Sequence, residues 1–174
     1  LSDIEPHMQE GDVLTHCFNG RGAGAWNPDG MPADAMHRII DKGVTLDVGH
    51  GSGSFSYDVC EAALRYPLPK VTVSTDLHSS SVKRSVFSLA NVMGKMLHCG
   101  FSPERVLDGV TRGAAEVMRL DGWCDLSGWL RNATMFTLED VKPYRDEDSC
   151  GITRVLTKRF VPKAAIVDGQ FDAI

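Results

Sequence analysis

Three short apolar segments of this chain end at a histidine or an aspartate, residue types that can bind metals and transfer protons. The first segment leads into His16, the second into His50, and the third, VSTDLHSSS, into Asp76. Each is rich in β-branched residues and is followed by turn-forming residues, as in a buried strand that feeds a loop. Side chains at the carboxyl ends of parallel strands gather at one rim of the sheet. We therefore expect His16, His50 and Asp76 to be presented at a common rim.

Helical patterns separate these predicted strands. Residues 31–43 and 56–67 place apolar side chains at helical spacing and end at a glycine and a proline. The alternation of strand and helix predicts an α/β fold with a parallel sheet and right-handed crossovers. Two further helices are predicted at 83–99 and 103–119, the second with Ser102 as its N-cap.

The pattern changes near residue 120. Beyond it, apolar and polar residues alternate in short segments, and VDGQ is a hairpin signal. The predicted strands are 133–138, 153–157 and 164–167. Because a few short strands cannot close a core alone, they must pack on the helical part or on strands outside this chain. The sequence thus divides into residues 1–119 and a β-strand appendage, residues 120–174.

Composition is that of an ordinary globular protein. The 174 residues are 43% hydrophobic, which is enough for a sizeable core. No apolar run approaches the ~20 residues of a membrane span, and the first residues show no basic segment followed by an apolar one. A net charge of −5 without a basic stripe argues against a nucleic-acid partner. We therefore expect neither a membrane nor a nucleic acid as partner, and the composition leaves a homo-oligomer open.

The five cysteines show no CxxC motif and no paired spacing. This usage predicts reduced thiols and a cytoplasmic protein. Cys17, Cys60 and Cys99 lie in apolar patterns and are expected to be small core residues.

Histidine and aspartate at one rim favour metal-assisted hydrolysis. Both are good ligands for zinc or a similar divalent ion, and a carboxylate beside the ion can act as a general base. A single histidine at a strand end is nevertheless more often structural. A catalytic zinc also usually has three protein ligands, which is more than this pattern supplies securely.

The alternative function is a nucleotide- or phosphate-binding module. Gly49, Gly51 and Gly53 follow a strand and precede a helix, which is the context of a phosphate-binding loop. The third glycine of a GxGxxG fingerprint would fall at Ser54, however, and Asp76 is about 27 residues from Gly49, a little far for a ribose-binding acid. A third interpretation is that the glycines only permit a tight turn.

The segments GDVLTHCFNG, LDVGHGSGSF and STDLH together resemble the amidohydrolase superfamily, in particular its dihydroorotase-like branch of amidohydrolases and deacetylases. The resemblance covers nearly the whole chain, since VTRGAAEVMRL is similar to the final barrel helix and the later strands to the small β-domain. It implies a (β/α)8 TIM-type barrel with one or two divalent metals, zinc being the expected ion. In such enzymes water attacks an amide, cyclic imide or ester carbonyl of a small-molecule substrate.

The resemblance also implies roles for individual residues. His16 would be a metal ligand on the sixth barrel strand, and Asp76 the eighth-strand aspartate that binds metal and takes the proton of the attacking water. His50 matches the loop after the seventh strand, where we expect a substrate contact or a supporting role behind the ligands. Asn19 and His78 are further expected substrate contacts; His78 follows Asp76 by two and shares its side of an extended chain.

Several family motifs have no counterpart here: the HxH motif of the first strand, the carboxylated lysine of the fourth and the histidine of the fifth. We therefore expect this chain to be the C-terminal part of such an enzyme, comprising the last three βα units of the barrel and strands of the small β-domain. It should expose an unpaired strand edge and be inactive alone.

Overall fold

A computed structural model of the chain describes residues 1–22, 24–120 and 132–174. It contains a three-stranded parallel sheet and a three-stranded antiparallel sheet. The strands are β1 Val13–Leu14, β2 Thr45–Asp47, β3 Val71–Thr72, β4 Ala133–Glu147, β5 Thr153–Val167 and β6 Gln170–Ala173. The helices are α1 Asp34–Asp41, α2 Tyr57–Ala63, α3 Leu89–Cys99, α4 Pro103–Val110 and α5 Arg112–Val117, preceded by a 3-10 turn, Glu5–His7.

The parallel sheet has the order β1-β2-β3, with α1 and α2 as its crossover helices. This confirms the predicted βαβαβ arrangement. Leu46 at the centre of β2 pairs with Leu14 on one side and Val71 on the other, and it is completely buried. Within the described residues β1 pairs with β2 alone, and Val13 is 37% exposed. The first strand therefore has the open edge that the sequence predicts.

The helix predicted at 83–99 begins only at Leu89. Ser88 is its N-cap, and the hydroxyl of Ser88 accepts the backbone N–H of Asn91. A separate turn precedes it, in which Ser81 Oγ accepts the backbone N–H of His78 at 2.8 Å. Serine side chains thus satisfy backbone groups locally and delay the start of the helix.

The helix predicted at 103–119 is two helices, α4 and α5. Ser102 caps α4 as predicted, accepting the backbone N–H of Arg105. The break lies at Thr111, whose φ of −123° and ψ of −97° are not helical. Thr111 Oγ1 also donates to the carbonyl of Leu107 at 2.6 Å, a bond of the kind that bends helices.

The antiparallel strands are longer than predicted, since β4 and β5 have 15 residues each. Their register shifts between Met135 and Phe136 and again between Asp140 and Tyr144. Each shift interrupts the alternation of side chains, so the sequence pattern shows only short pieces. The predicted hairpin is confirmed: β5 and β6 are joined through Asp168 and Gly169, at φ 50° and 79°, as a type I′ turn requires.

The two sheets share one core. Leu156 and Phe160 of β5 are buried in the same cluster as Met93 and Met96 of α3. The antiparallel strands therefore pack on the helical part, which is one of the two predicted arrangements. The predicted core cysteines, Cys17, Cys60 and Cys99, are buried there as well.

Helices that could cross a membrane are not found in the described ranges.

Candidate active site

His16 and Asp76 lie together at the carboxyl ends of the two outer strands, β1 and β3. His16 Nε2 and Asp76 Oδ2 are 3.8 Å apart, and the side chains are 36% and 45% exposed. Both residues have positive φ angles, 62° and 44°. Such angles are uncommon for residues other than glycine. The chain therefore turns sharply at each strand end, where the two side chains meet at the rim.

Asp47 lies between these strands at the end of β2 and is only 8% exposed. Its Oδ2 accepts Thr15 Oγ1 and Ser74 Oγ, both at 2.7 Å, and its Oδ1 accepts Thr72 Oγ1 at 2.8 Å. A buried carboxylate is tolerated when its oxygens are hydrogen-bonded. Asp47 thus fixes three hydroxyl groups, one next to β1 and two on or next to β3.

The Asp47 hydrogen bonds determine how the ring of His16 is presented. Thr15 Oγ1 is 2.9 Å from His16 Nδ1. The threonine hydroxyl has a single proton, and the Asp47 carboxylate takes it, so Thr15 Oγ1 must accept the Nδ1 proton of His16. In the neutral ring, the other nitrogen, Nε2, then carries a free lone pair that faces Asp76. Two electron-pair donors face each other at a distance too long for a hydrogen bond.

This arrangement fits a divalent cation. Two ligand atoms that each lie about 2.0–2.2 Å from one ion can be separated by the observed 3.8 Å. A histidine whose second nitrogen is held by a hydrogen bond is also the usual form of a metal ligand. Over the described ranges, no group of three or more histidine, cysteine, aspartate or glutamate side chains could hold an ion. The described residues therefore contribute two candidate ligands to such a site.

The glycine loop, residues 49–53, is shaped by the two candidate ligands. A Cβ atom on Gly49 would lie 2.4 Å from His16 Nδ1, and one on Gly51 would lie 2.4 Å from Asp76 Oδ2. Both glycines also have positive φ, 47° and 53°. The tight turn that the glycines predict is therefore present. A larger residue at Gly49 or Gly51 would not fit beside His16 or Asp76.

The structure gives the phosphate-binding alternative no support at the helix that follows the glycine loop. Phosphates bind where the N–H groups of a helix N-terminus are free. In α2 the N–H of Tyr57 donates to Asp148 Oδ2 at 2.9 Å, and Asp148 is 1% exposed. A carboxylate of the chain itself thus occupies that position.

His50 is placed inside the protein and not at the rim. Its ring is completely buried and stacks on Phe55 with 4.6 Å between the ring centroids. Nδ1 donates to the carbonyl of Gly51 at 3.0 Å, while the buried Nε2 has no hydrogen-bond partner among the described residues. Burial, together with the nearby charge of Lys95, lowers the pKa of His50 to about 3. Its position favours the supporting role over the substrate contact.

We expect His50 to make the protein less stable in acid. Its pKa rises from about 3 in the fold to 6.5 on unfolding, so its contribution to stability is complete above pH 6.5 and is lost as the pH falls toward 3. The loss approaches about 1.4 kcal/mol per pH unit. The His50→Gln variant should lack this part of the acid dependence in denaturant unfolding between pH 7 and 4. His37→Gln, at a half-exposed histidine paired with Asp41, should keep it.

Asn19 and His78 lie on loops beside the rim. Asn19 Oδ1 accepts the backbone N–H of Arg21 at 2.8 Å and so shapes the loop after β1. His78 is exposed; its Nδ1 accepts the Ser80 N–H at 3.3 Å, and its Nε2 is 3.4 Å from Ser52 Oγ on the glycine loop. Their substrate contacts stay predictions.

Sequence reasoning did not identify Thr15, Asp47 and Ser149 as residues of the site. An aspartate that ends a buried strand opposite Thr72, with Thr15 at the neighbouring strand end, was a detectable signal for the Asp47 cluster. Ser149 gave no signal, because it reaches the glycine loop from 99 residues away: its Oγ donates to the His50 carbonyl at 3.2 Å.

Comparison with known proteins identifies three curated relatives. The chain is 37% identical to a deacetylase of Agrobacterium fabrum over 161 residues, which are 92% of this chain and 39% of that protein. It is 36% identical to a deacetylase of Brucella anthropi, over 92% of this chain and 40% of the relative. It is 34% identical to a deacetylase of Enterococcus faecalis, over 98% of this chain and 47% of the relative. No protein-family model matches.

Two solved structures are similar over almost the entire chain. An adenine deaminase has a TM-score of 0.90 at 32% identity, covering 99% of this chain and 47% of its own. A dihydroorotase has a TM-score of 0.84 at 35% identity, covering 98% and 45%. The chain thus spans less than half the length of each of these relatives. Over that span, its similarity to the deacetylases and dihydroorotases of the amidohydrolase superfamily is confirmed.

Proposed function

We propose that this chain contributes part of the active site of a metal-dependent hydrolase that cleaves an amide, cyclic imide or ester bond, with a deacetylase as the nearest description. One observation carries the proposal: His16 Nε2 and Asp76 Oδ2 face each other at 3.8 Å, and Asp47 and Thr15 hold the histidine in the tautomer that a cation requires. The names of the relatives support the reaction class.

In this proposal His16 Nε2 and Asp76 would hold a divalent ion, zinc or a similar metal. The site would contain one or two such ions. Such an ion would polarise the substrate carbonyl and increase the acidity of water. Asp76 takes the proton of the attacking water and returns it to the leaving nitrogen or oxygen. Thr15 keeps His16 Nδ1 protonated, so Nε2 stays available. Asn19 and His78 orient the small-molecule substrate from the loops beside the rim.

The same proposal assigns residues 1–119 to the last three βα units of a (β/α)8 barrel and residues 120–174 to strands of a small β-domain. The free edge of β1, within the described residues, is where further barrel strands would pair. Those strands would also supply the missing metal ligands, so the chain alone should be inactive. Placement in the cytoplasm remains part of the proposal.

Loss of metal in the His16→Ala variant tests the function. In the full-length protein this change should lower the amount of bound divalent metal, measured by elemental mass spectrometry, because the imidazole that would bind the ion is removed. Acetate release from N-acetyl and O-acetyl compounds, and ring opening of cyclic imides, should fall with the metal. His37→Ala, which removes a histidine paired with Asp41 on α1, is the matched control. If His16→Ala keeps the metal content of the control, the proposed site is wrong.

A further inference from the structure

The turn between β4 and β5, residues 148–152, reaches the glycine loop from the antiparallel sheet. Asp148 fixes this turn: its Oδ1 accepts the backbone N–H groups of Cys150 at 2.7 Å and Ile152 at 2.8 Å. Its Oδ2 accepts the N–H of Tyr57 at the start of α2. The turn is therefore bonded both to itself and to the helix that follows the glycine loop.

Ser149 connects this turn directly to the glycine loop. Its hydroxyl lies 3.2 Å from the His50 carbonyl and 3.0 Å from the Gly51 carbonyl, and its backbone N–H donates to the Phe55 carbonyl at 3.1 Å. One serine thus contacts both the glycine loop and Phe55, two residues beyond it. Its single hydroxyl proton is shared between two successive carbonyl groups.

Lys95 holds the other side of this contact. It is completely buried, pairs with Asp146 at 2.7 Å and donates to the carbonyls of Ser85 at 2.7 Å and Glu147 at 2.8 Å. Ser85 in turn donates through its hydroxyl to the Gly51 carbonyl at 3.2 Å. The ammonium group of Lys95 therefore fixes the end of β4 at Glu147. It also fixes Ser85, whose hydroxyl is the second one that donates to the Gly51 carbonyl.

The position of Gly51 matters because it leaves no free space beside Asp76. A Cβ atom on Gly51 would lie 2.4 Å from Asp76 Oδ2, so the backbone of the loop limits where that carboxylate can be. Displacing a reacting group by about 1 Å can cost as much as 10²-fold in rate. Small movements of the loop should therefore affect catalysis.

We propose that Ser149 is a positioning residue, which acts through the glycine loop to keep Asp76 in its working position. The parallel sheet carries both candidate ligands, whereas Ser149 lies outside that sheet. This role rests on the proposed hydrolytic function, and it adds a residue of the turn between β4 and β5 to the site.

The test is Ser149→Ala in the full-length protein. We expect kcat to fall about tenfold while KM stays within about threefold and bound metal is retained, because the loop shifts but the ligands remain. Amide hydrogen exchange should become faster at residues 49–53, where the N–H of Gly51 donates to Thr75. Ser149→Thr keeps the hydroxyl and should restore both kcat and slow exchange.

Ser102→Ala is the matched control, because Ser102 caps α4 and its loss should lower stability without changing kcat. If Ser149→Ala lowers stability as the control does and leaves kcat unchanged, Ser149 is only structural and the proposal is overturned. If the unaltered protein hydrolyses none of the acyl compounds, the proposed function fails instead. Hydrogen exchange then still decides, since unchanged exchange at residues 49–53 would overturn the link between turn and loop.

Discussion

Replacing Asp76 with asparagine in the full-length protein should lower turnover by roughly 10²-fold or more while much of the bound metal remains. Asparagine keeps the size of the side chain and an oxygen that can still coordinate, but its amide cannot accept the proton of the attacking water. The side chain is 45% exposed at the rim and faces His16, so the change should disturb little else. Turnover and metal content are both measured, on the same preparation.

Asp41→Asn is the control for this experiment. Asp41 is an exposed carboxylate that pairs with His37 at 2.9 Å on α1, away from the rim. It should leave turnover and metal unchanged. Turnover of Asp76→Asn equal to that of the control would reject the role of general base. Loss of metal as complete as in His16→Ala would make Asp76 chiefly a ligand.

Introducing a single methyl group at Gly51 should reduce kcat by about 10²-fold, without any change to a residue that touches substrate. In the Gly51→Ala variant the new Cβ would lie 2.4 Å from Asp76 Oδ2, so the carboxylate or the loop has to move. The effect should appear mainly in kcat, because the displaced Asp76 carboxylate takes part in the reaction and contributes less to substrate binding.

Backbone strain alone could also harm this variant, because Gly51 has a φ of 53°. Gly11→Ala separates the two causes: Gly11 has a φ of 90°, and a Cβ there would meet nothing within 4 Å. That variant should lose stability and keep its turnover. Equal losses of turnover in the two variants would mean that strain, and not contact with Asp76, is responsible.

The parallel sheet could be predicted because each of its strands is a short β-branched run that ends at a turn, and helical patterns separate the runs. The same reasoning brought His16 and Asp76 to one rim, since strand ends are fixed by the ladder. The type I′ hairpin could be predicted too, because Asp168 and Gly169 are residue types that accept positive φ. In each case the signal lies within a few consecutive residues.

The rest depends on contacts between distant residues. His50 has the sequence context of a rim residue, but the space beside Phe55 accepts its ring, and burial removes it from the rim. The break at Thr111 follows a local hydrogen bond that apolar periodicity does not encode. Ser149 is 99 residues from His50, and nothing in either segment marks the pair.

The buried pair of Lys95 and Asp146 joins the two parts of the chain into one energetic unit. Burial lowers the pKa of Lys95, while the ion pair with Asp146, at 2.7 Å, opposes that shift. A chain shortened before residue 146 would leave an ammonium group in the core without its counter-charge, and losing one partner of a buried pair costs about 3–5 kcal/mol. The antiparallel strands are therefore not an independent module. Transferring either part of the chain to another protein would separate Lys95 from Asp146.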